Sequence, residues 1–144
     1  MEVIKTDILI LGSGGAGLFA ALHAYDNNPR LKIIMATKGL VGKSGCSRMV
    51  QGGLNVVLDE KDSLENHFKD TLKGGGFINN QELAWTLVSE APKTVHELEV
   101  NVGCFFDRAE NGKIHQKPFA GQSFDRTVHV ADLTGIQIIS RMTD

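Results

Sequence analysis

The feature that most constrains the fold is a glycine-rich loop between an apolar run and a helix of small residues. Asp7-Ile8-Leu9-Ile10-Leu11 predicts a strand, and Gly12-Ser13-Gly14-Gly15-Ala16-Gly17 follows at once. A continuous apolar run ended by turn residues is typical of a strand buried on both faces of a parallel sheet. Small and apolar residues from Ala16 to Tyr25 predict a largely buried helix, which we expect to end near Asn27-Asn28-Pro29 because proline cannot continue it.

A second strand is predicted at Leu31–Ala36, so strand, helix and strand fit in about thirty residues, the size of a βαβ unit. In such a unit Gly12 permits the tight turn, Gly14 lets the backbone approach a diphosphate, and Gly17 lets the helix pack close to the strand. The diphosphate lies at the helix N-terminus, where free N–H groups and the helix dipole favour negative charge. A turn that binds nothing is the alternative interpretation of the same glycines.

The residues after the second strand argue against a nicotinamide cofactor. A nicotinamide site has an Asp or Glu about twenty residues after the loop, where it holds the ribose hydroxyls. This chain has Ala36-Thr37-Lys38-Gly39 there, without an acid. The segment from Lys38 to Gly53 holds further glycines and too few periodic apolar residues for a regular element, so we expect a functional loop.

The middle of the chain predicts three helices. The first has Asp62 as its N-cap and ends at the glycines 74–76, the second begins near Asn80, and the third begins at Pro92. Their expected buried residues are Leu64, Phe68, Leu72, Leu83, Leu87, Val88, Val95 and Leu98.

Three further expectations concern the later part of the chain. Residues 104–106 and 113–115 are expected to pair as a hairpin, and residues 134–142 to form a last helix. Asp107, with Glu97 and Glu99, is assigned to a solvated face. Arg126 either holds a phosphate or carboxylate or pairs with a neighbouring acid.

Composition excludes several classes of protein. A net charge of −2 gives no electrostatic case for nucleic acid or anionic lipid. No run approaches the apolar length of a membrane span, and the first residues do not have the pattern of a secretory signal. Two cysteines are too few for a disulfide framework, and the five histidines lack metal-ligand spacing, so no metal site is predicted. We expect one α/β domain in the cytoplasm.

Five stretches together resemble the flavoprotein subunit of succinate dehydrogenase and fumarate reductase and the related L-aspartate oxidases. They are, in the family's order, Gly12–Gly17, Thr37-Lys38, Gln51-Gly52-Gly53, Pro118-Phe119-Ala120-Gly121-Gln122, and Arg126-Thr127 with Ala131-Asp132-Leu133-Thr134-Gly135. The resemblance covers essentially the whole chain and implies a Rossmann-like FAD-binding fold with a parallel sheet. By it, residues 1–144 are the N-terminal part of that domain, which is incomplete here.

The resemblance also implies roles for individual residues. The loop residues would face the FAD diphosphate, Thr37 and Lys38 would lie near the adenosine end, residues 44–53 would wrap the isoalloxazine ring, and Asp132 and Thr134 would border the cofactor. Phe119 and Gln122 would lie at a dicarboxylate pocket. The implied cofactor-binding residues are Gly12, Gly14, Gly15, Ala16, Gly17, Thr37, Lys38, Ser44, Cys46, Ser47, Gln51, Gly52, Gly53 and Asp132.

Two departures from the family pattern refine the expectation. Membrane-bound members carry a histidine, covalently linked to the flavin, where this chain has Cys46, so the resemblance implies non-covalent FAD and favours fumarate reduction. A cysteinyl-flavin bond is the alternative at that position. L-aspartate oxidases typically have a glutamate where this chain has Phe119, so a simple C4 dicarboxylate fits better than aspartate.

The resemblance further places the capping domain, the catalytic arginine and the substrate-clamping residues beyond Asp144, so no residue of this chain is predicted to be catalytic. The intact enzyme would interconvert fumarate and succinate by hydride transfer. Its expected partner is an iron–sulfur electron-transfer protein, and its expected location is peripheral to the membrane through its partners. The alternatives are L-aspartate oxidase and a non-catalytic FAD-binding module.

Overall fold

The computed structural model describes residues 3–144 of the chain. These residues form two compact units, one comprising residues up to 50 together with 135–144 and the other comprising residues 51–134. The structure is of the α/β class, as the sequence predicts, and its first two strands are parallel. Within the described residues, no helix combines the length and the apolar character that crossing a membrane requires.

The first unit contains the predicted βαβ unit. Strand β1 (Ile8–Leu11) is followed by helix α1 (Gly15–Asn27) and strand β2 (Ile33–Ala36). The strands pair in parallel, with Ile8 opposite Ile33 and Leu11 opposite Ala36. Helix α1 ends directly before Asn28-Pro29, as expected for a helix that proline cannot continue.

The predicted burial of this unit is wrong. Leu9 and Leu11 on β1 are 57% and 80% exposed, and Leu18 is the buried residue of α1. The reason is that Ile10 faces α1, as its side chain would lie 3.3 Å from a Cβ on Gly17, so Leu9 and Leu11 point to the opposite face of the sheet and are exposed there.

The loop after β2 contains one short regular element. A 3₁₀ helix spans Cys46–Met49, and the rest of residues 37–53 lacks helix or strand, close to the prediction of an irregular loop. The last helix, α4 (Thr134–Thr143), matches its predicted bounds to within one residue and buries Ile139.

Two helices of the second unit correct the predicted boundaries. Helix α2 (Leu64–Gly74) has Ser63 rather than Asp62 as its N-cap, because the Ser63 hydroxyl accepts the Asn66 N–H at 3.1 Å. It buries His67 most deeply, whereas the predicted apolar residues on α2 are partly exposed.

Helix α3 (Gln81–Val100) is one helix where the sequence predicts two. Its N-cap is Asn80, as predicted, but Pro92 lies inside it. Proline removes one helical hydrogen bond, yet Val88 and Val95 on either side are buried and keep both halves packed. Leu83 and Leu87 are exposed, contrary to the prediction, because a continuous helix turns a different face to the core.

Three short strands complete the second unit. Strands β3 (Leu54–Asn55), β4 (Gln116–Lys117) and β5 (Thr127–Val128) form an antiparallel sheet in the order β3-β5-β4. The predicted hairpin is wrong in register, since Arg108 bridges Ile114 while residues 104–106 lie outside the pairing. The Ala109 N–H donates to the Lys113 carbonyl at 2.9 Å and closes that turn.

Candidate functional site

The glycine loop of the first unit has the local geometry that its spacing predicts. Gly12 has φ +106°, a conformation that favours glycine, and its N–H donates to the Ala36 carbonyl at 2.8 Å. A Cβ on Gly17 would overlap the carbonyl oxygen of Gly12, so the third glycine allows α1 to pack close to the loop. The loop is therefore shaped by backbone contacts that side chains would prevent.

Ser47 lies against the start of helix α1. Gly14 is the N-cap and has no side-chain capping bond, while the Ser47 hydroxyl accepts the Gly15 N–H at 3.1 Å. A Cβ on Gly14 or Gly15 would lie 3.5 or 3.4 Å from that hydroxyl oxygen, which is ordinary contact. The structure thus brings predicted cofactor residues from two parts of the sequence together at a helix N-terminus.

A cleft of about 590 Å³ opens beside the loop, lined by Leu11, Gly12, Ala36, Thr37 and Lys38. It brings Gly12, Thr37 and Lys38 together, three residues predicted to bind the cofactor. The Thr37 hydroxyl donates to the Gly39 carbonyl at 2.9 Å, and Lys38 is exposed. The cleft combines a mainly apolar wall with a single cation.

The remaining predicted cofactor residues of the first unit are at its surface. Ala16 is exposed in the first turn of α1, and Ser44 is exposed in the loop. Cys46 is an exposed free thiol at the start of the 3₁₀ helix.

In the second unit, Phe119 lies against the Gln51-Gly52-Gly53 segment. A Cβ on Gly52 would lie 3.1 Å from the Phe119 ring, which is itself 56% exposed. Gly53 has φ +117°, and a Cβ there would overlap the Val128 carbonyl of β5. Two predicted groups, the flavin-wrapping glycines and the substrate-side aromatic, therefore form one surface.

Gln122 is held by neighbours of the same unit. Its Nε2 donates to Asn55 Oδ1 at 2.6 Å and to Thr127 Oγ1 at 2.9 Å, while its Oε1 accepts the Arg126 N–H at 3.4 Å. Gln51 and Asp132 are exposed, and the Gln51 carbonyl accepts the buried Thr134 hydroxyl at 3.3 Å. Gln122 is thus fixed next to β5.

Arg126 pairs with acids, which decides between the two interpretations of this residue. Its fully buried side chain donates Nε and Nη2 to the two carboxylate oxygens of Asp62, both at 2.8 Å, and Nη1 to Asp70 Oδ2 at 2.5 Å. Burial alone would raise the pKa of each carboxyl, but hydrogen bonds from Arg126 and from backbone N–H groups lower both below 3.8. All three nitrogens of the guanidinium therefore bond carboxylates of the protein, and the interpretation of Arg126 as the partner of neighbouring acids is the correct one.

A cluster at Asp107 is not predicted by the sequence, which places this residue on a solvated face. Asp107 Oδ2 accepts the Ala131 N–H at 2.8 Å and lies 3.2 Å from His129 Nδ1. His129 Nε2 in turn lies 2.8 Å from His115 Nδ1. Burial, followed by the charge of Lys117, lowers the pKa of His129. No spacing rule in the sequence links these three residues.

The first unit fits the diphosphate of a dinucleotide on structural grounds. The cap residue Gly14 has no side chain, the Ser47 hydroxyl bonds only the Gly15 N–H of the first turn of α1, and Lys38 adds a cation to the adjoining cleft. A parallel βαβ unit with this loop defines a dinucleotide-binding α/β protein.

Comparison with known proteins then identifies the family. Residues 7–144 match the family described as FAD binding domain. The chain belongs to this family, and FAD is its cofactor.

The similar proteins are oxidoreductases. An uncharacterized FAD-dependent oxidoreductase of Methanocaldococcus jannaschii is 53% identical over 94% of this chain and 24% of its own length. The fumarate reductase (CoM/CoB) of Methanothermobacter marburgensis has a subunit that is 43% identical over 99% of this chain and 26% of its own length. The chain thus spans about a quarter of these relatives.

A solved structure is similar over the same extent. Mycobacterium smegmatis Sdh1, solved in complex with UQ1, superposes with a TM-score of 0.91 at 39% identity, covering 99% of this chain and 24% of that one. The predicted Rossmann-like fold is confirmed, and the chain is a segment of the FAD-binding domain of fumarate reductase and succinate dehydrogenase type flavoproteins.

Proposed function

We propose that the protein containing this chain interconverts fumarate and succinate, and that this chain supplies part of its non-covalent FAD site. The observation that supports the proposal is that a Cβ on Gly52 would lie 3.1 Å from the Phe119 ring, so the aromatic that we propose for the substrate pocket lies beside the glycine segment. The relatives named fumarate reductase support the same reaction.

In this proposal the chain's residues bind and orient. The Gly12–Gly17 loop and the N-terminus of α1 hold the diphosphate, and Thr37 and Lys38 bind near the adenosine end. Bound FAD supplies the hydride chemistry. Further contacts to FAD are proposed for Ser44, Cys46 and Ser47, for Gln51-Gly52-Gly53, and for Asp132.

Phe119 distinguishes the proposed substrate from aspartate. Its ring offers no charge to a substrate ammonium, whereas it tolerates the apolar carbons of a C4 dicarboxylate. Gln122, fixed by Asn55 and Thr127, is proposed to border the same pocket. L-aspartate oxidation is therefore the reaction against which the proposal is tested.

The partner and the location proposed for the protein that contains this chain also follow from its similarity to fumarate reductase subunits. The Methanothermobacter protein is named as one subunit of its enzyme, and we infer that the present protein also works with an electron-transfer partner that carries iron–sulfur clusters. A location peripheral to the membrane, through such partners, belongs to the same proposal.

The test replaces Phe119 in the full-length gene product reconstituted with FAD. Phe119→Glu places a carboxylate against a dianionic substrate, so we expect kcat/KM for fumarate to fall about a hundredfold. Fumarate reduction is measured with a reduced viologen dye, and aspartate oxidation is measured in parallel.

Phe105→Glu is the matched control, since Phe105 is also an exposed phenylalanine of the second unit. We expect it to leave fumarate kinetics unchanged. Unchanged kinetics in Phe119→Glu would remove Phe119 from the pocket. Aspartate oxidation without fumarate reduction would favour an L-aspartate oxidase, and FAD binding without either activity would favour a non-catalytic module.

A further inference from the structure

Asp107 makes one hydrogen bond to the turn that precedes α4 and two to the histidines that flank β4 and β5. Its carboxylate Oδ2 accepts the Ala131 N–H at 2.8 Å. Its own N–H donates to the His129 carbonyl at 2.9 Å, and its carbonyl accepts the His115 N–H at 2.7 Å. Asp107 thus links the residue before β4 and the residue after β5 to the turn that precedes α4.

Ala131 has an unfavourable backbone conformation. Its φ is +40°, a region that residues with a Cβ rarely adopt. The Leu133 N–H donates to the Val130 carbonyl at 2.8 Å, and the Val130 N–H donates to the buried Thr134 hydroxyl at 3.1 Å. These bonds close a tight turn whose third residue is the exposed Asp132, so surrounding contacts must compensate the strain.

A histidine pair lies beside Asp107. His115 and His129 continue the register in which Gln116 pairs with Val128, so they are cross-strand neighbours. His129 is 9% exposed, and its Nδ1 faces the Asp107 carboxylate, which only accepts hydrogen bonds. That nitrogen nevertheless makes no hydrogen bond within the described residues, and the other ring nitrogen, Nε2, lies 2.8 Å from His115 Nδ1.

We propose that Asp107 is a positioning residue, which holds the strained turn at Ala131 and thereby presents Asp132 to FAD. His129 lies beside the Asp107 carboxylate without a hydrogen bond from Nδ1, so the hydrogen bond from the Ala131 N–H is the contact that carries the proposal. The inference rests on the proposed contact of Asp132 with the cofactor. In this proposal Asp107 acts through the backbone of Ala131, whose N–H donates to its carboxylate.

The test measures FAD dissociation constants of the full-length gene product by flavin fluorescence. Asp107→Ala removes the acceptor for the Ala131 N–H, and we expect FAD to bind about tenfold more weakly. Asp107→Asn keeps an oxygen acceptor and should bind nearly as well as the original protein. Asp125→Ala, which removes an exposed carboxylate of the same unit, is the matched control and should leave the constant unchanged.

A second substitution separates positioning from loss of an ordinary surface contact. Glycine adopts positive φ without a Cβ penalty, so Ala131→Gly in the Asp107→Ala background should restore most of the lost affinity. If the double variant binds FAD no better than Asp107→Ala alone, the positioning role is wrong.

Hydrogen exchange of the Ala131 amide provides a readout without cofactor. We expect exchange about tenfold faster in Asp107→Ala than in the original protein, because the amide loses its acceptor. Unchanged exchange would overturn the proposed hold on the turn, and faster exchange with unchanged FAD affinity would overturn its role toward FAD. Failure of the original protein to bind FAD would instead refute the proposed function, and the exchange rate would still decide what holds the turn.

Discussion

Glycines of one motif are required for different physical reasons. A Cβ on Gly17 would overlap backbone of the loop, whereas a Cβ on Gly14 would meet the Ser47 hydroxyl at an ordinary 3.5 Å. Gly14 also has φ −79°, which any residue adopts. The fold therefore needs Gly17, and only a ligand close to the backbone needs Gly14.

Paired valine substitutions separate these two requirements. Gly14→Val should fold, as judged by circular dichroism, yet lose FAD, because its side chain blocks the diphosphate. Gly17→Val should lower the free energy of unfolding by about 3 kcal/mol or more, because the overlap is with backbone. Denaturant titration and FAD binding of both variants check this prediction, and yellow, FAD-loaded Gly14→Val would refute the loop assignment.

Among the elements, α2 is joined to the segment before β5 by buried charges. Arg126 bridges Asp62 and Asp70, and Asp70 Oδ2 also accepts the N–H and hydroxyl of Ser123, both at 2.8 Å. Gln122 lies next to Ser123 in the same anchored segment. One ion-pair network thus holds the segment that carries the proposed substrate-side glutamine.

Removal of the Arg126 charge should lower the free energy of unfolding. Arg126→Met leaves the Asp62 and Asp70 carboxylates without their cation, and we expect a loss of about 3–5 kcal/mol in the free energy of unfolding. Arg141→Met is the matched control, since Arg141 pairs with Asp144 at the surface and should cost about 1 kcal/mol or less. Denaturant titration measures both, and equal losses would contradict the assignment of Arg126 to a buried network.

At the scale of the molecule, the groups of the described residues whose pKa values are shifted lie in the second unit. Burial is the first cause that lowers the pKa of His67 and His129 below 6.5, and hydrogen bonds outweigh burial to lower those of Asp62 and Asp70 below 3.8. A pKa that is lower in the folded chain means that the unfolded chain binds more protons near the ordinary pKa of the group. Acidification therefore favours the unfolded chain for the histidines and for the aspartates alike.

Stability should therefore fall in two stages on acidification. The first loss begins as the pH drops through 6.5, where the unfolded histidines take up protons first. The second begins below 3.8, where the unfolded aspartates do so and the Arg126 pairs are lost. Melting temperatures across this pH range test the prediction, and His129→Gln should reduce the first stage and leave the second.

The sequence alone determined the βαβ unit, its glycine loop and the FAD family, because strand period, helix composition and turn chemistry all lie within one short stretch. It did not determine the partners of Ser47 and Arg126: Gly15 is 32 residues from Ser47, and Asp62 and Asp70 are 64 and 56 residues from Arg126. Nor did it determine that α3 continues through Pro92 or that Asp107 holds Ala131. Those outcomes depend on packing between distant segments, and only the tertiary structure decides which polar groups meet there.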